Sequence, residues 1–280
     1  MNQHSIGIMQ GRLTPRKGRE IQFFPFDNWE NEFYLAKNLG LDEIEWIFDW
    51  ENYEENPLWT SNMRKRIVEV VKQTGVTIHS VCFDYFMRRP FYKEKPEKEK
   101  KVYDENVQIL TTIIEAAHQI KAHLIEIPLV DNSSVKTELE QKKMIEFIQH
   151  MSIIAQTYHI MLGLETDFPP AVFKNFLDKI DRKNVVANYD SGNSSGLGYR
   201  HREELLSLNQ YVYNVHIKDR IYGGTSVPLG TGSADMKEVF ASLKQIEYKG
   251  SIILQAARGE DGREEENIRE QKQFVLQYLS

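Results

Sequence analysis

MLGLETDFPPAVFKNFLDKIDRKNVVANYD, residues 161–190, decides the fold. It opens on an apolar run ending at Glu165 and turns at Pro169 and Pro170. A helical segment over Ala171–Ile180 then leads to a second apolar run ending at Asp190. Runs this short, rich in β-branched residues and bounded by turn residues, read as buried parallel strands. The stretch is therefore one strand–helix–strand repeat, and the same alternation extends in both directions from it.

Downstream, a helix over Arg200–Leu208 precedes the strand YVYNV that ends at His216. Another over Asp235–Ile246 precedes SIIL, which ends at Gln255, and a last helix spans Glu264–Leu279. Upstream lie the strand SIGIM from Ser5, a helix over Asp27–Leu39 stopped by Gly40, and the strand EIEWIF from Glu43. The helix Ser61–Thr74, stopped by Gly75, follows, and then VTIHSVCF from Val76. A long helix ending near Ile120, the strand HLIEIP from His123 and a helix over Val135–Tyr158 lead back to the opening stretch. Gly or a polar cap at these boundaries is what helix termini require. Eight strands and eight helices in strict alternation over 280 residues predict one α/β domain, residues 1–280, folded as a (β/α)8 TIM barrel. An open doubly wound sheet is the competing reading. Its first turn here, QGRLTP from Gln10, lacks the glycine pattern of a dinucleotide site.

Composition narrows the function. With 41% hydrophobic and 27% charged residues the chain reads as an ordinary globular protein. A net charge of −6 argues against a nucleic-acid partner held by bulk electrostatics. No apolar run approaches the roughly 20 residues that span a bilayer, so no membrane partner is expected. The single cysteine, Cys82, falls in a strand and reads as an inert buried thiol in a reducing compartment. The N-terminus has no basic region leading into a long apolar stretch, and a cytoplasmic location is expected. No internal repeat or linker divides the chain. The charged block YKEKPEKEKKV from Tyr92 reads as a solvated loop and helix start, with a lid over the site as the alternative.

The four strand ends carry the chemistry. Side chains there point into the barrel mouth, where active sites of this fold gather. Glu165, Asp190, His216 and Gln255 are spaced by 25 residues (165 to 190), 26 (190 to 216) and 39 (216 to 255), so their strands are consecutive. Three oxygen donors and one nitrogen donor converging from four strands make a divalent-metal site. Each has a plainer reading alone: Glu165 as partner of an Arg, Asp190 as a turn cap, His216 as a structural histidine. The shared strand-end position and near-equal spacing favour the joint site.

The chain resembles the xylose isomerase-like TIM barrel superfamily, specifically its sugar phosphate isomerase/epimerase group. The resemblance rests on IGIMQGRL from Ile6, GLETD from Gly163, NYDSGN from Asn188, HIKD from His216 and LGTG from Leu229. It implies a Glu–Asp–His–Glu set on one divalent ion, Mn²⁺ foremost, with Mg²⁺, Co²⁺ or Zn²⁺ as alternatives. That set falls on Glu165, Asp190, His216 and Gln255, and the last departs from it. The resemblance also implies that two glutamates exchange a proton on opposite faces of a ketose carbon. An amide still offers a carbonyl oxygen to a hard cation, but it has no proton to exchange. Glu165 is thus the expected catalytic base, and the second group is open among His79, Glu45, Lys218 and Asp219.

Arg12, Glu45, His79, Asn193, Lys218, Asp219, Arg220 and Arg258 lie at or just beyond strand ends and are expected to bind substrate. The cations among them would suit a phosphate or carboxylate. The expected function is metal-dependent isomerisation or epimerisation of a sugar or sugar phosphate. A metal-dependent dehydratase (a lyase) needs only one base and is the alternative, as is a degenerate, non-catalytic sugar-binding barrel. An abasic-site endonuclease of the same fold would need many more histidines, and has His where Asn193 stands. Related barrels often form dimers or tetramers, which leaves a homo-oligomer open.

Overall fold

The apolar runs pair because a strand buried on both faces satisfies its backbone only through neighbouring strands. The computed structural model describes residues 4–16 and 22–279, so the reading of the extreme N-terminus touches residues 1–3, outside that range. Eight parallel strands close into a barrel: β1 (Ile6–Met9), β2 (Glu43–Ile47), β3 (Ser80–Cys82), β4 (Leu124–Leu129), β5 (Met161–Thr166), β6 (Val185–Asp190), β7 (Val212–Ile217) and β10 (Ser251–Leu254). β10 bonds to β1 and closes the ring, and β6 sets Asp190 directly beside His216 of β7. The expected TIM barrel is correct.

Helices cover the barrel: α1 (Trp29–Asn38), α2 (Ser61–Thr74), α3 (Tyr85–Arg88), α4 (Pro96–Gln119), α5 (Glu138–Thr157), α6 (Pro170–Ile180), α7 (Ser191–Leu197), α8 (His201–Leu208), α9 (Met236–Gln245) and α10 (Glu264–Leu279). α2 has the bounds read from its cap and stop. α5 starts later than expected because Thr137 and Glu140 form a reciprocal capping box that fixes the first turn. The charged block is the start of α4, with Pro96 in its first turn and Glu99 paired to Lys143 of α5 at 2.6 Å.

Three features depart from the alternating reading. β3 is only three residues long, so His79 precedes it. The chain enters α7 directly after Asp190, an extra helix ahead of α8. Between β7 and α9 a small antiparallel ribbon, β8 (Asp219–Arg220) with β9 (Ser226–Val227), projects from the mouth. Among the described residues no helix is long and apolar enough to cross a membrane.

The apolar core lies between strands and helices, with Phe33, Leu110, Ile113, Phe147 and Phe176 buried there. The barrel interior differs. Branched apolar side chains usually fill it, but here Glu45, Ser80, Asn188, Asn214 and His216 are buried inside. Asn214 Nδ2 donates to Glu45 Oε2 across the lumen, from β7 to β2, at 2.9 Å. Hydrogen bonds offset much of the desolvation cost of this polar lumen, although Glu45 Oε1 and Asn214 Oδ1 accept none among the described residues, and it forms the floor beneath the mouth.

Candidate active site

At the C-terminal mouth a cavity of about 430 Å³ opens, lined by Arg12, Gln22, Asp49, Asp84, Glu126, Glu165, Asn193, Lys218, Arg220 and Gln255 among others. Ligand atoms of Glu165, Asp190 and His216 lie within 4.8 Å of one another, and all three residues are buried. Glu165 Oε2 is 3.5 Å from His216 Nδ1. Asn188 Nδ2 donates to the same oxygen at 2.8 Å, and Asn193 Nδ2 donates to Oε1. Asp190 Oδ1 accepts the Asn193 backbone N–H at 2.8 Å, and Oδ2 is 3.4 Å from Lys218 Nζ. Asp190 therefore also caps α7, so the turn-cap role and the cluster role coexist in one carboxylate.

The fourth strand-end residue is oriented too. Gln255 Nε2 donates to Gln22 Oε1 at 3.1 Å. Its carbonyl Oε1 is buried and has no hydrogen-bond partner among the described residues. A buried acceptor without a donor is costly, and a cation in the cluster would satisfy it. Two carboxylates, an imidazole nitrogen and an amide oxygen fit a divalent ion, with Glu165, Asp190, His216 and Gln255 as the residues that would hold it.

Electrostatics set the protonation states. Burial opposes ionisation of Glu165, but the His216 hydrogen bond and charge outweigh it and bring its carboxyl to about 2. Burial likewise opposes a charge on His216, yet Glu45 and Glu126 raise it well above its ordinary range. Burial pushes Asp190 up against the pull of Lys218. Burial also pushes Glu126 well up, opposed by His216. Arg12, almost wholly enclosed, is lowered to about 9 by burial and then by Arg258. Its Nε and Nη1 have no partner among the described residues.

The structure sorts the expected substrate-binding residues. Arg12, Asn193, Lys218 and Arg220 line the cavity. Glu45 does not: fully buried beneath it, Oε1 sits 2.7 Å from His216 Nε2, and Oε2 accepts from Ser80 and Asn214. His79 sits at the opposite mouth of the barrel, in a separate cavity with Thr77 and Tyr213, because β3 runs away from it. Arg258 lies over the Phe23 ring at 4.9 Å and donates to the Gly11 and Thr14 carbonyls, bracing the loop after β1.

Asp219 also turns away from substrate. Its buried carboxylate accepts the N–H groups of Gly230, Gly232 and Ala234 at 2.9–3.0 Å. A Cβ on Gly232 would lie 2.2 Å from Asp219 Oδ1, so only glycine lets that backbone approach. Asp219→Ala would leave these donors unsatisfied. We expect it to lower stability by about 2–4 kcal/mol in urea unfolding. A loss below about 0.5 kcal/mol, the level of an ordinary surface substitution, would contradict the anchoring role.

Sequence reasoning missed Glu126, Asp84 and Gln22. Glu126 carried a usable signal, a lone carboxylate inside the apolar run LIEIP. Gln22 carried none, since a loop brings it to a residue more than 200 positions away in the chain.

The barrel with its metal-capable strand ends defines a class, and comparison with known proteins gives the family. The model of the xylose isomerase-like TIM barrel family matches residues 33–278, and the chain belongs to that family. The chain is 26% identical over 270 residues to SgbU of Haemophilus influenzae, provisionally named an L-ribulose-5-phosphate 3-epimerase, covering 91% of this chain and 89% of that one. It is 24% identical over 241 residues to the L-ribulose-5-phosphate 3-epimerase UlaE of Shigella flexneri, covering 81% of each. In structure it is similar to D-psicose 3-epimerase of Clostridium cellulolyticum H10, with TM-score 0.77, 13% identity and 99% of each chain covered.

Proposed function

We propose that this protein is a divalent-metal-dependent epimerase or isomerase of a ketose carrying an anionic group, acting by proton transfer alpha to a carbonyl. One observation carries the reading. An ionised carboxylate, Glu165, lines the cavity while sharing a cluster with Asp190 and His216, and the carbonyl of Gln255, unpartnered among the described residues, lines the same cavity. A divalent ion in that cluster would polarise the substrate's carbonyl and adjacent hydroxyl and so acidify the alpha C–H.

The chain's own residues do the rest. Glu165 is held in the acceptor state by Asn188 and Asn193 and lines the cavity, where it serves as general base. The unpaired guanidinium nitrogens of Arg12 and the cations Lys218 and Arg220 suit a phosphate or carboxylate on the substrate. The two relatives named for L-ribulose 5-phosphate support a phosphorylated ketose. Gln255 favours the second reading, a dehydratase, because that reaction requires only one base.

Proton exchange in D₂O, followed by NMR over free ketoses and ketose phosphates with L-ribulose 5-phosphate first, tests the proposal. We expect deuterium at the alpha carbon of a ketose phosphate with no loss of water, and dependence on bound divalent metal by elemental analysis. Water loss would select the dehydratase. Absence of exchange with every ketose would remove the reading.

A further inference from the structure

An epimerase needs a proton donor on the face opposite its base, and the amide at 255 cannot be that donor. Other titratable groups must then reach the same cavity from the Gln255 side. Glu126 does not, because it sits on β4 with its Cα paired to Gly163 of β5, beside Glu165. Asp84, just beyond β3, is linked to Gln255 through one side chain. Its Oδ2 accepts from Gln22 Nε2 at 2.5 Å, and Gln22 Oε1 accepts from Gln255 Nε2 at 3.1 Å. The chain Gln255–Gln22–Asp84 thus ties a carboxyl to the side chain that lacks a proton. Asp84 lines the cavity, and among the described residues no hydrogen bond joins it to Glu165. Among the described residues its other oxygen accepts only from the weak donor Cys82 Sγ, at 3.4 Å.

We propose that Asp84 is the second acid–base residue of this site, replacing the carboxyl missing at position 255. The inference rests on the epimerase reading above. Glu165 takes the alpha proton, the C–H electron pair becomes the C–C π bond, and the carbonyl pair moves onto its oxygen. Protonated Asp84 then gives its proton to the opposite face. The π pair forms the new C–H bond, the oxygen pair restores the carbonyl, and the O–H pair stays on the Asp84 carboxylate. Glu165 ends protonated and Asp84 ionised, and exchange with water resets both. Burial, then the neighbouring Asp49 charge, raises Asp84 to about 6, so both of its forms are populated near neutrality.

The test uses the metal-loaded enzyme and a panel ketose that exchanges. In Asp84→Asn we expect interconversion of the epimers to fall at least 100-fold. Deuterium should still enter from D₂O at the alpha carbon of the epimer that Glu165 deprotonates, with metal content unchanged. Adding Gln255→Glu to that variant should restore inversion. If Asp84→Asn does not fold, Asp84→Ser is used, with formate expected to recover inversion. Unchanged inversion in Asp84→Asn overturns the proposal, as does equal loss of exchange and inversion with metal retained, or no recovery with either rescue. If the unaltered enzyme exchanges no ketose at all, the epimerase reading fails first and takes this inference with it.

Discussion

Glu165→Gln is expected to lower turnover by about three orders of magnitude, within the range for loss of a positioned general base. The substitution keeps shape and removes charge and basicity, so its effect is not one of packing. It also disturbs a hydrogen-bond arrangement with no slack. Asn188 and Asn193 each aim an N–H₂ at a different oxygen of Glu165. A glutamine would turn its own N–H₂ toward one of them, setting donor against donor. A cation in the cluster would lose a carboxylate ligand as well. The measurements are kcat, deuterium exchange at the alpha carbon and metal content of the purified variant. Because proton removal from one epimer is Glu165's own step, inversion and exchange of that epimer should fall together, whereas in Asp84→Asn that same epimer should still exchange. A variant that still exchanges at the normal rate would show that Glu165 is not the base.

The barrel was legible because two periodicities alternate along the whole chain, and because strand-end position alone predicts which side chains reach the mouth. That rule found Glu165, Asp190, His216 and Gln255, all near one cavity. It failed where strand bounds or side-chain parity decide. His79 lies inside a run that reads as strand, but β3 runs from Ser80 toward the active-site mouth, which leaves His79 at the other end. Glu45 reads as substrate-facing from its place near the end of β2. Alternation along β2 sends Glu45 into the lumen and Trp46 out against Phe24 and Trp29. The same alternation separates Lys218 and Arg220, in the cavity, from Asp219 between them. Asp84 and Gln22 stayed invisible because their meeting depends on a loop conformation that no local pattern encodes.

Glu45 is where such a displaced residue gains a role, and Glu45→Gln is expected to weaken divalent-metal binding by about 10–100-fold, the usual effect of losing a partner of a ligating histidine. His216 presents Nδ1 toward Glu165 and Nε2 toward Glu45, which is 2.7 Å away. For Nδ1 to offer a lone pair to a cation, the proton must sit on Nε2, and only an acceptor at Glu45 Oε1 holds it there. The surrounding amides leave no freedom to compensate. Asn188 must donate to the Glu165 carboxylate, so its carbonyl accepts from Asn214 Nδ2, which also donates to Glu45 Oε2 along with Ser80 Oγ. A glutamine at 45 would place its carbonyl where those two donors converge and its N–H₂ against Nε2. That arrangement drives the imidazole proton to Nδ1, where a metal would bind. Titration calorimetry with Mn²⁺ at fixed pH reads the effect directly, without assaying turnover. An unchanged affinity, with the fold intact by thermal melting, would mean that His216 is oriented by something other than the carboxylate beneath it.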